Sequence, residues 1–147
     1  MQKEVIISIN GLHSLEDDDD NVEMIAPGKY YKKNDKQYII YNEICEDSNE
    51  VNKNTIKINN DSVEIIRKGA SNVHMIFDEK EKNVSYYNTP FGNILIGLNT
   101  NSLKINELDN EINIAIDYSV EVNYEHLSNC VMTMSIKSKE DANITLM

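Results

Sequence analysis

Apolar and polar residues alternate with a period of two along most of the chain. The clearest case is EINIAIDYSVEVNYE, residues 111–125, in which every second position from Ile112 to Tyr124 is apolar or aromatic. A period of two places these residues on one face of a β-strand, because successive side chains point to opposite sides. Thirteen alternating residues extend about 43 Å at roughly 3.3 Å per residue, so this strand must bend to keep one face on a single core.

The same alternation recurs in nine or ten segments separated by short polar turns. The first strand is expected from about Lys3 to Leu15, and APG at residues 26–28 is expected to interrupt the chain. Asn34-Asp35 and ELDN predict hairpin turns, EHLSN predicts the turn before the last strand, and Gly97 is expected to bend its strand. No helical stripe is present. The pattern predicts one all-β domain over residues 1–147, an up-and-down antiparallel barrel of about 8–10 strands, because closure removes exposed sheet edges.

Several motifs resemble the YwiB-like family of small β-barrel proteins from Gram-positive bacteria, which is classed among the calycins, the lipocalin-like folds. They are IIRKGASNVHMIF, YYNTPFG and the long hairpin with NTNSLKIN and IAIDYSVEV, and the resemblance extends from VIISINGLH to MSIK. The most specific residues are Arg67 with Gly69, Phe77, Tyr87 to Gly92, and Thr100. The resemblance implies a lipocalin-like barrel and implies no particular biochemical activity.

Charge and hydropathy narrow the classes of partner and compartment. The formal net charge of -11 argues against nucleic acid and against an anionic membrane, since both are bound through clustered Lys and Arg. No apolar run has the length of a signal peptide or approaches the roughly 20 residues of a spanning helix. We therefore expect a soluble, cytoplasmic protein in which Cys45 and Cys130 are reduced thiols.

Motifs for catalysis, metals and cofactors are absent from the sequence. There is no Gly-x-Ser-x-Gly, His-Glu-x-x-His, Cys-x-x-Cys or phosphate-binding loop, which favours a non-catalytic protein and leaves an enzyme as an open alternative. EDDDDN, residues 16–21, is expected to be a solvated loop, with a cation site as the alternative. The three histidines are far apart in sequence, and none is paired with another at the spacing of metal ligands: His13, His74 and His126. The prediction is therefore no catalytic residue, no metal site and no cofactor, haem included.

Arg67, the one arginine of the chain, is the first candidate ligand-binding residue. It alternates with Ile65 and Gly69, and its planar guanidinium suits a carboxylate. The alternative is that it covers one barrel end and pairs with an acidic residue, for which the candidates are Glu43, Asp117 and Glu121. The other candidates are two tyrosines expected to project into the barrel and two adaptable methionines: Tyr118, Tyr124, Met132 and Met134.

The predicted inward residues are mostly large, which favours a filled middle with space for a pocket near one end only. The function predicted from the sequence is binding of a small, partly apolar or anionic ligand near that end. The alternative is a solid barrel whose acidic surface binds a basic protein partner.

Overall fold

The structure is a computed structural model that describes residues 3–11, 23–44, 51–69, 72–89 and 92–139. Ten β-strands make up almost all of this part of the chain. They are β1 Glu4–Asn10, β2 Glu23–Lys33, β3 Lys36–Ile44, β4 Val51–Ile58, β5 Ser62–Lys68, β6 Val73–Asp78, β7 Asn83–Thr89, β8 Gly92–Glu107, β9 Glu111–Val122 and β10 Glu125–Ser138. The described residues include no helix long and apolar enough to cross a membrane.

All ten strands belong to one antiparallel sheet in the order β6-β5-β4-β3-β2-β1-β10-β9-β8-β7. The sheet coils into a nearly closed barrel, which confirms the predicted all-β barrel. Every pair of sequence neighbours is hydrogen-bonded except β6 and β7, which stand at the two ends of the sheet. In addition, the first strand, β1, pairs with the last, β10.

The alternating face of β9 lines the barrel interior, as predicted. Five of its residues are 7% exposed or less, namely Ile112, Ile114, Ile116, Tyr118 and Val120. The ring of Tyr118 meets the ring of Phe77 on β6 edge-on, with ring centroids 4.9 Å apart. Large side chains from both walls therefore fill the middle of the barrel.

The strand β2 turns a corner of the barrel. Residues 23–29 pair with β1, and residues 29–33 pair with β3. A Cβ at Gly28 would lie 2.7 Å from Ile7 Cδ1 and 2.9 Å from the backbone oxygen of Ile40, so only glycine fits where the two neighbours come this close. The prediction that residues 26–28 interrupt the chain is therefore wrong, because they lie inside a continuous strand.

The barrel closes at a seam between β6 and β7, where no backbone ladder forms between the described residues. Side chains bridge the seam instead. Ser85 Oγ on β7 donates a hydrogen bond to the backbone oxygen of His74 on β6 at 3.1 Å. Next to the seam, Glu79 in the turn between β6 and β7 accepts a hydrogen bond through Oε1 from the backbone N–H of Leu103 on β8 at 2.6 Å.

Two predicted turns are confirmed, and two predictions about strand shape are wrong. Asn34 and Asp35 both have positive φ, 52° and 63°, as a tight hairpin turn requires, and ELDN joins β8 to β9. The irregularity in β8 is a register shift between Thr100 and Ser102 rather than a bend at Gly97. The first strand ends at Asn10, and Leu15, EDDDDN, His13 and Cys45 lie outside the described residues.

The turn between β9 and β10 is also placed differently from the prediction. Asn123 and Tyr124 form it, with φ of 50° and 71°, and the Asn123 side chain accepts a hydrogen bond from the backbone N–H of Leu95 at 3.2 Å. His126 consequently lies in β10 rather than in a turn. Tyrosine seldom adopts positive φ, so the sequence signal for this turn is weak.

Candidate functional site

Polar side chains replace apolar ones on the inner wall of β3, β4 and β5, near one end of the barrel. Tyr41, Asn54 and Arg67 occupy one row, because Asn54 is the register partner of both of the others. The row directly beside it, towards the middle of the barrel, is fully apolar and consists of Ile39, Ile56 and Ile65, each at most 3% exposed. We call Tyr41, Asn54 and Arg67 the inner polar row.

Asn54 anchors the guanidinium of Arg67. Arg67 Nε donates to Asn54 Oδ1 at 3.2 Å, and because that guanidinium can only donate, the contact fixes the orientation of the Asn54 amide. The Asn54 side-chain amide nitrogen is then left without a hydrogen-bond partner among the described residues, although Asn54 is 0% exposed. A buried donor in this state is destabilising.

The hydroxyl of Tyr41 is in the same condition. It is buried, and the described part of the chain gives it no hydrogen-bond partner. Burial, followed by the negative charge of Glu43, raises the pKa of Tyr41 to about 12, against an opposing effect of Arg67. The hydroxyl therefore stays protonated at neutral pH and can donate a hydrogen bond.

Glu43 lies on the same face of β3 as Tyr41 and completes the site. Its Oε1 atom is 3.5 Å from Arg67 Nη2, and the two side chains are 34% and 26% exposed, respectively. This contact is the acidic pairing that the sequence offered as an alternative role for Arg67, and it selects Glu43 over Asp117 and Glu121. Arg67 thus spans from the buried wall to the solvent-accessible end of the barrel.

Gly69 shapes the end of the wall next to Arg67. Its φ is +145°, and a Cβ there would lie 2.6 Å from both Asn52 Oδ1 and the backbone oxygen of Val51. Asn52, which is the register partner of Glu43, is 3% exposed. The close approach of β5 to Asn52 therefore depends on a residue without a side chain.

The other predicted ligand-binding residues lie on β9 and β10 and in the turn between them. Met132 and Met134 are 0% and 3% exposed and lie on β10, five strands from β5 in the sheet order, so they belong to a different wall of the barrel from Arg67. Tyr118 is part of the filled middle. The prediction that Tyr124 projects into the barrel is wrong, because it is a turn residue and 79% exposed.

Tyr41 and Asn54 are the members of the site that the sequence-based prediction missed. A signal was present in VNKNTIKI, because the alternation places Asn52 and Asn54 on the same strand face as Ile56 and Ile58. Amide side chains on an otherwise apolar face indicate either a buried hydrogen-bond network or a binding surface.

The described histidines and the described cysteine do not join the inner polar row. No group of three or more metal-binding side chains occurs within the described ranges. His74 Nε2 lies 3.0 Å from Glu64 Oε1 and His126 Nε2 lies 3.1 Å from Asn129 Oδ1, and both histidines are exposed. Cys130 is a buried free thiol.

A groove of about 350 Å³ runs across the outer face of β1, β10, β9 and β8. Most of its side chains are small and uncharged, including Ser8, Asn10, Asn106, Asn113, Thr133 and Ser135. Such groups are well hydrated at an open surface, whereas two donors of the inner polar row, the Asn54 amide and the Tyr41 hydroxyl, are buried without a hydrogen-bond partner among the described residues. The inner polar row is therefore the stronger candidate site.

Comparison with known proteins agrees with this architecture. Residues 7–134 match the family described as "Domain of unknown function (DUF1934)". The chain is 32% identical over 139 residues to the "Uncharacterized beta-barrel protein YwiB" of Bacillus subtilis (strain 168), which covers 90% of this chain and 95% of that protein. The crystal structure of ywiB protein from Bacillus subtilis superposes with a TM-score of 0.69 and 22% identity, covering 92% of this chain and 89% of that one. The chain therefore belongs to the DUF1934 family of β-barrel proteins.

Proposed function

We propose that this protein is a non-catalytic binding protein, which holds a small, partly apolar molecule against the inner polar row. The observation that carries the proposal is the pair of buried, unpaired donors, the Asn54 amide and the Tyr41 hydroxyl, beside the Arg67 guanidinium. All three groups donate hydrogen bonds, so the complementary head group is rich in acceptors and suits a negative charge.

The apolar part of the molecule would contact the neighbouring row of Ile39, Ile56 and Ile65. Because Phe77 and Tyr118 fill the middle of the barrel, the proposed position of the molecule is the end near Arg67. A short or compact molecule fits this arrangement better than a long chain that would have to pass through the core.

The test is a thermal melt of the protein with a set of candidate small molecules: aliphatic and aromatic carboxylic acids, the matching alcohols, and haem. A ligand at 100 times its Kd stabilises the folded state by about 2.7 kcal/mol, which corresponds to a rise in Tm of roughly 5–10 °C for a domain of this size. We expect at least one acid to produce such a rise.

Two variants show where the molecule binds. Arg67→Gln removes the cation from the inner face of β5, and Lys68→Gln removes one from the exposed face of the same strand. We expect the rise in Tm to disappear in Arg67→Gln and to persist in Lys68→Gln. If no molecule in the set stabilises the wild type, or if both variants respond as it does, the proposal fails.

A second function, an acidic interaction module, is favoured by the filled barrel middle together with the net charge of -11. A basic protein partner bound in this way would dissociate as salt is added, because exposed charges are screened over about 8 Å at physiological ionic strength. Binding that survives 0.5 M salt, or that Arg67→Gln abolishes, would contradict this second function.

A further inference from the structure

We infer that Glu43 competes with the ligand's carboxylate for the Arg67 guanidinium. The inference rests on the proposed function and makes it more specific: the head group is a carboxylate, and the protein carries its own competitor for the site. The ligand class is therefore a monocarboxylic acid with a small apolar body.

The contacts of the Arg67 guanidinium carry the first step. Its Nε–H is engaged by Asn54 Oδ1 at 3.2 Å, whereas its Nη2 lies 3.5 Å from Glu43 Oε1. A well-formed hydrogen bond between a guanidinium and a carboxylate is about 2.7–2.9 Å long. Arg67 is thus hydrogen-bonded to Asn54 through Nε, whereas its Nη2 pairs with Glu43 at ion-pair distance without a short hydrogen bond.

The second step is the difference in mobility between the partners. Asn54 and Tyr41 are 0% and 2% exposed, so neither side chain can leave the wall. Glu43 is 34% exposed and comes one residue before the end of β3. Its carboxylate can therefore turn into solvent, where it is well hydrated, while the three donors stay in place.

The third step is the balance of charge and hydrogen bonds. Arg67 and Glu43 together are neutral, so a monocarboxylate that replaces Glu43 keeps one negative charge beside one positive charge. The Asn54 amide nitrogen and the Tyr41 hydroxyl have no hydrogen-bond partner among the described residues, so the Glu43 carboxylate, which is tethered to β3, uses neither of them. A free carboxylate is not tethered, and because each of its oxygens accepts more than one hydrogen bond, it can use these two donors as well as Arg67. A dianion would add an uncompensated charge at a buried wall, which is costly, and an alcohol would not pair with the guanidinium charge.

Glu43→Gln should change the affinity for carboxylates in a known direction. Glutamine keeps the size of the side chain and removes the competing charge, so carboxylates should bind more tightly. The gain is about two- to fivefold in Kd, the range expected when a partly exposed ion pair no longer has to be broken. Glu64→Gln is the matched control, because Glu64 is also an ion-paired glutamate, with Lys57, but on the outer face of β5.

The experiment is isothermal titration calorimetry with octanoate and phenylacetate, and with the alcohols octan-1-ol and 2-phenylethanol. Wild type, Glu43→Gln, Glu64→Gln and Arg67→Gln are compared at constant ionic strength. We expect the acids to bind Glu43→Gln about two- to fivefold more tightly than wild type, to bind Glu64→Gln as they bind wild type, and to lose binding in Arg67→Gln. We expect the alcohols to be unaffected by Glu43→Gln.

Each other outcome has a definite meaning. Acids that bind wild type and Glu43→Gln equally, while Arg67→Gln still abolishes binding, would overturn the competition by Glu43 and leave the proposed function standing. Alcohols that bind as tightly as the acids would overturn the carboxylate assignment. Absence of binding by all four compounds to both wild type and Glu43→Gln would overturn this inference, and the separate melt with the wider set then decides the proposed function.

Discussion

Replacing Tyr41 by phenylalanine should stabilise the empty protein. The Tyr41 hydroxyl is buried and lacks a hydrogen-bond partner in the described part of the chain, while its ring packs in the core. Leaving a buried hydroxyl unpaired costs about 1–3 kcal/mol. Tyr41→Phe removes the hydroxyl and keeps the ring, so we expect the free energy of unfolding to rise by about 1 kcal/mol.

Urea unfolding at pH 7, followed by circular dichroism, measures this change. With an m-value of about 2 kcal/mol/M, a gain of 1 kcal/mol moves the midpoint up by about 0.5 M. Tyr38→Phe is the control, since Tyr38 lies three residues away in the same strand and stacks on Tyr31 with ring centroids 4.8 Å apart. Its midpoint should change by less than half as much.

The same substitution should weaken ligand binding, because the hydroxyl is one of the three proposed donors. Stability and affinity therefore move in opposite directions, which is typical of a residue retained for binding. A Tyr41→Phe protein that is less stable than wild type by 1 kcal/mol or more, with an unchanged m-value, would refute the reasoning. That result would mean that the hydroxyl is satisfied in the folded protein and has a structural role.

Three further predictions concern the barrel itself. Phe77→Ala should lower the free energy of unfolding by about 3–5 kcal/mol in urea titrations, because Phe77 is 0% exposed and packs edge-on against Tyr118; a loss below 1 kcal/mol would show that the middle is not tightly filled. Gly69→Ala should cost about 2 kcal/mol or more, since its φ is +145° and a Cβ would lie 2.6 Å from Asn52 Oδ1, and a neutral melt would contradict this backbone geometry. The pKa of Tyr41 is about 12 in the folded state against an ordinary 10, so the unfolded chain loses this proton first as the pH rises. The free energy of unfolding should therefore fall by about 2 kcal/mol from pH 10 to pH 12. In pH-dependent unfolding, Tyr41→Phe should lack this component.

The alternating pattern predicts the barrel well because burial on one face fixes the parity of each strand. Ile112 to Val120 face the core as expected, and a shift of one residue would have exposed all of them. Asn34-Asp35 is predicted for a similar reason, since both residues tolerate the positive φ that the turn needs. Local chemistry and burial agree at these positions.

The predictions fail where long-range contacts override the local signal. Pro27 and Gly28 suggest a break, yet they lie within β2 because the barrel needs a corner where Ile7 and Ile40 come close. Tyr124 continues the alternation of β9, but the chain turns one residue earlier, at Asn123. Neither event has a strong signature in the sequence.

The candidate site was predictable only in part. A single arginine among apolar neighbours draws attention to Arg67, and the acidic candidates for pairing included Glu43. The contribution of Asn54 depends on the register between β4 and β5, which sequence periodicity does not determine. The placement of Met132 and Met134 on a different wall from Arg67 likewise follows from the strand order rather than from either strand alone.

The most direct test of ligand binding inside the barrel is native mass spectrometry of the gently purified protein, before and after addition of octanoate. The native mass should exceed the denatured mass by one small molecule in wild type and in Lys68→Gln, and not in Arg67→Gln. A bare polypeptide mass for the wild type under both conditions, or an equal extra mass in Arg67→Gln, would contradict a binding site built around Arg67.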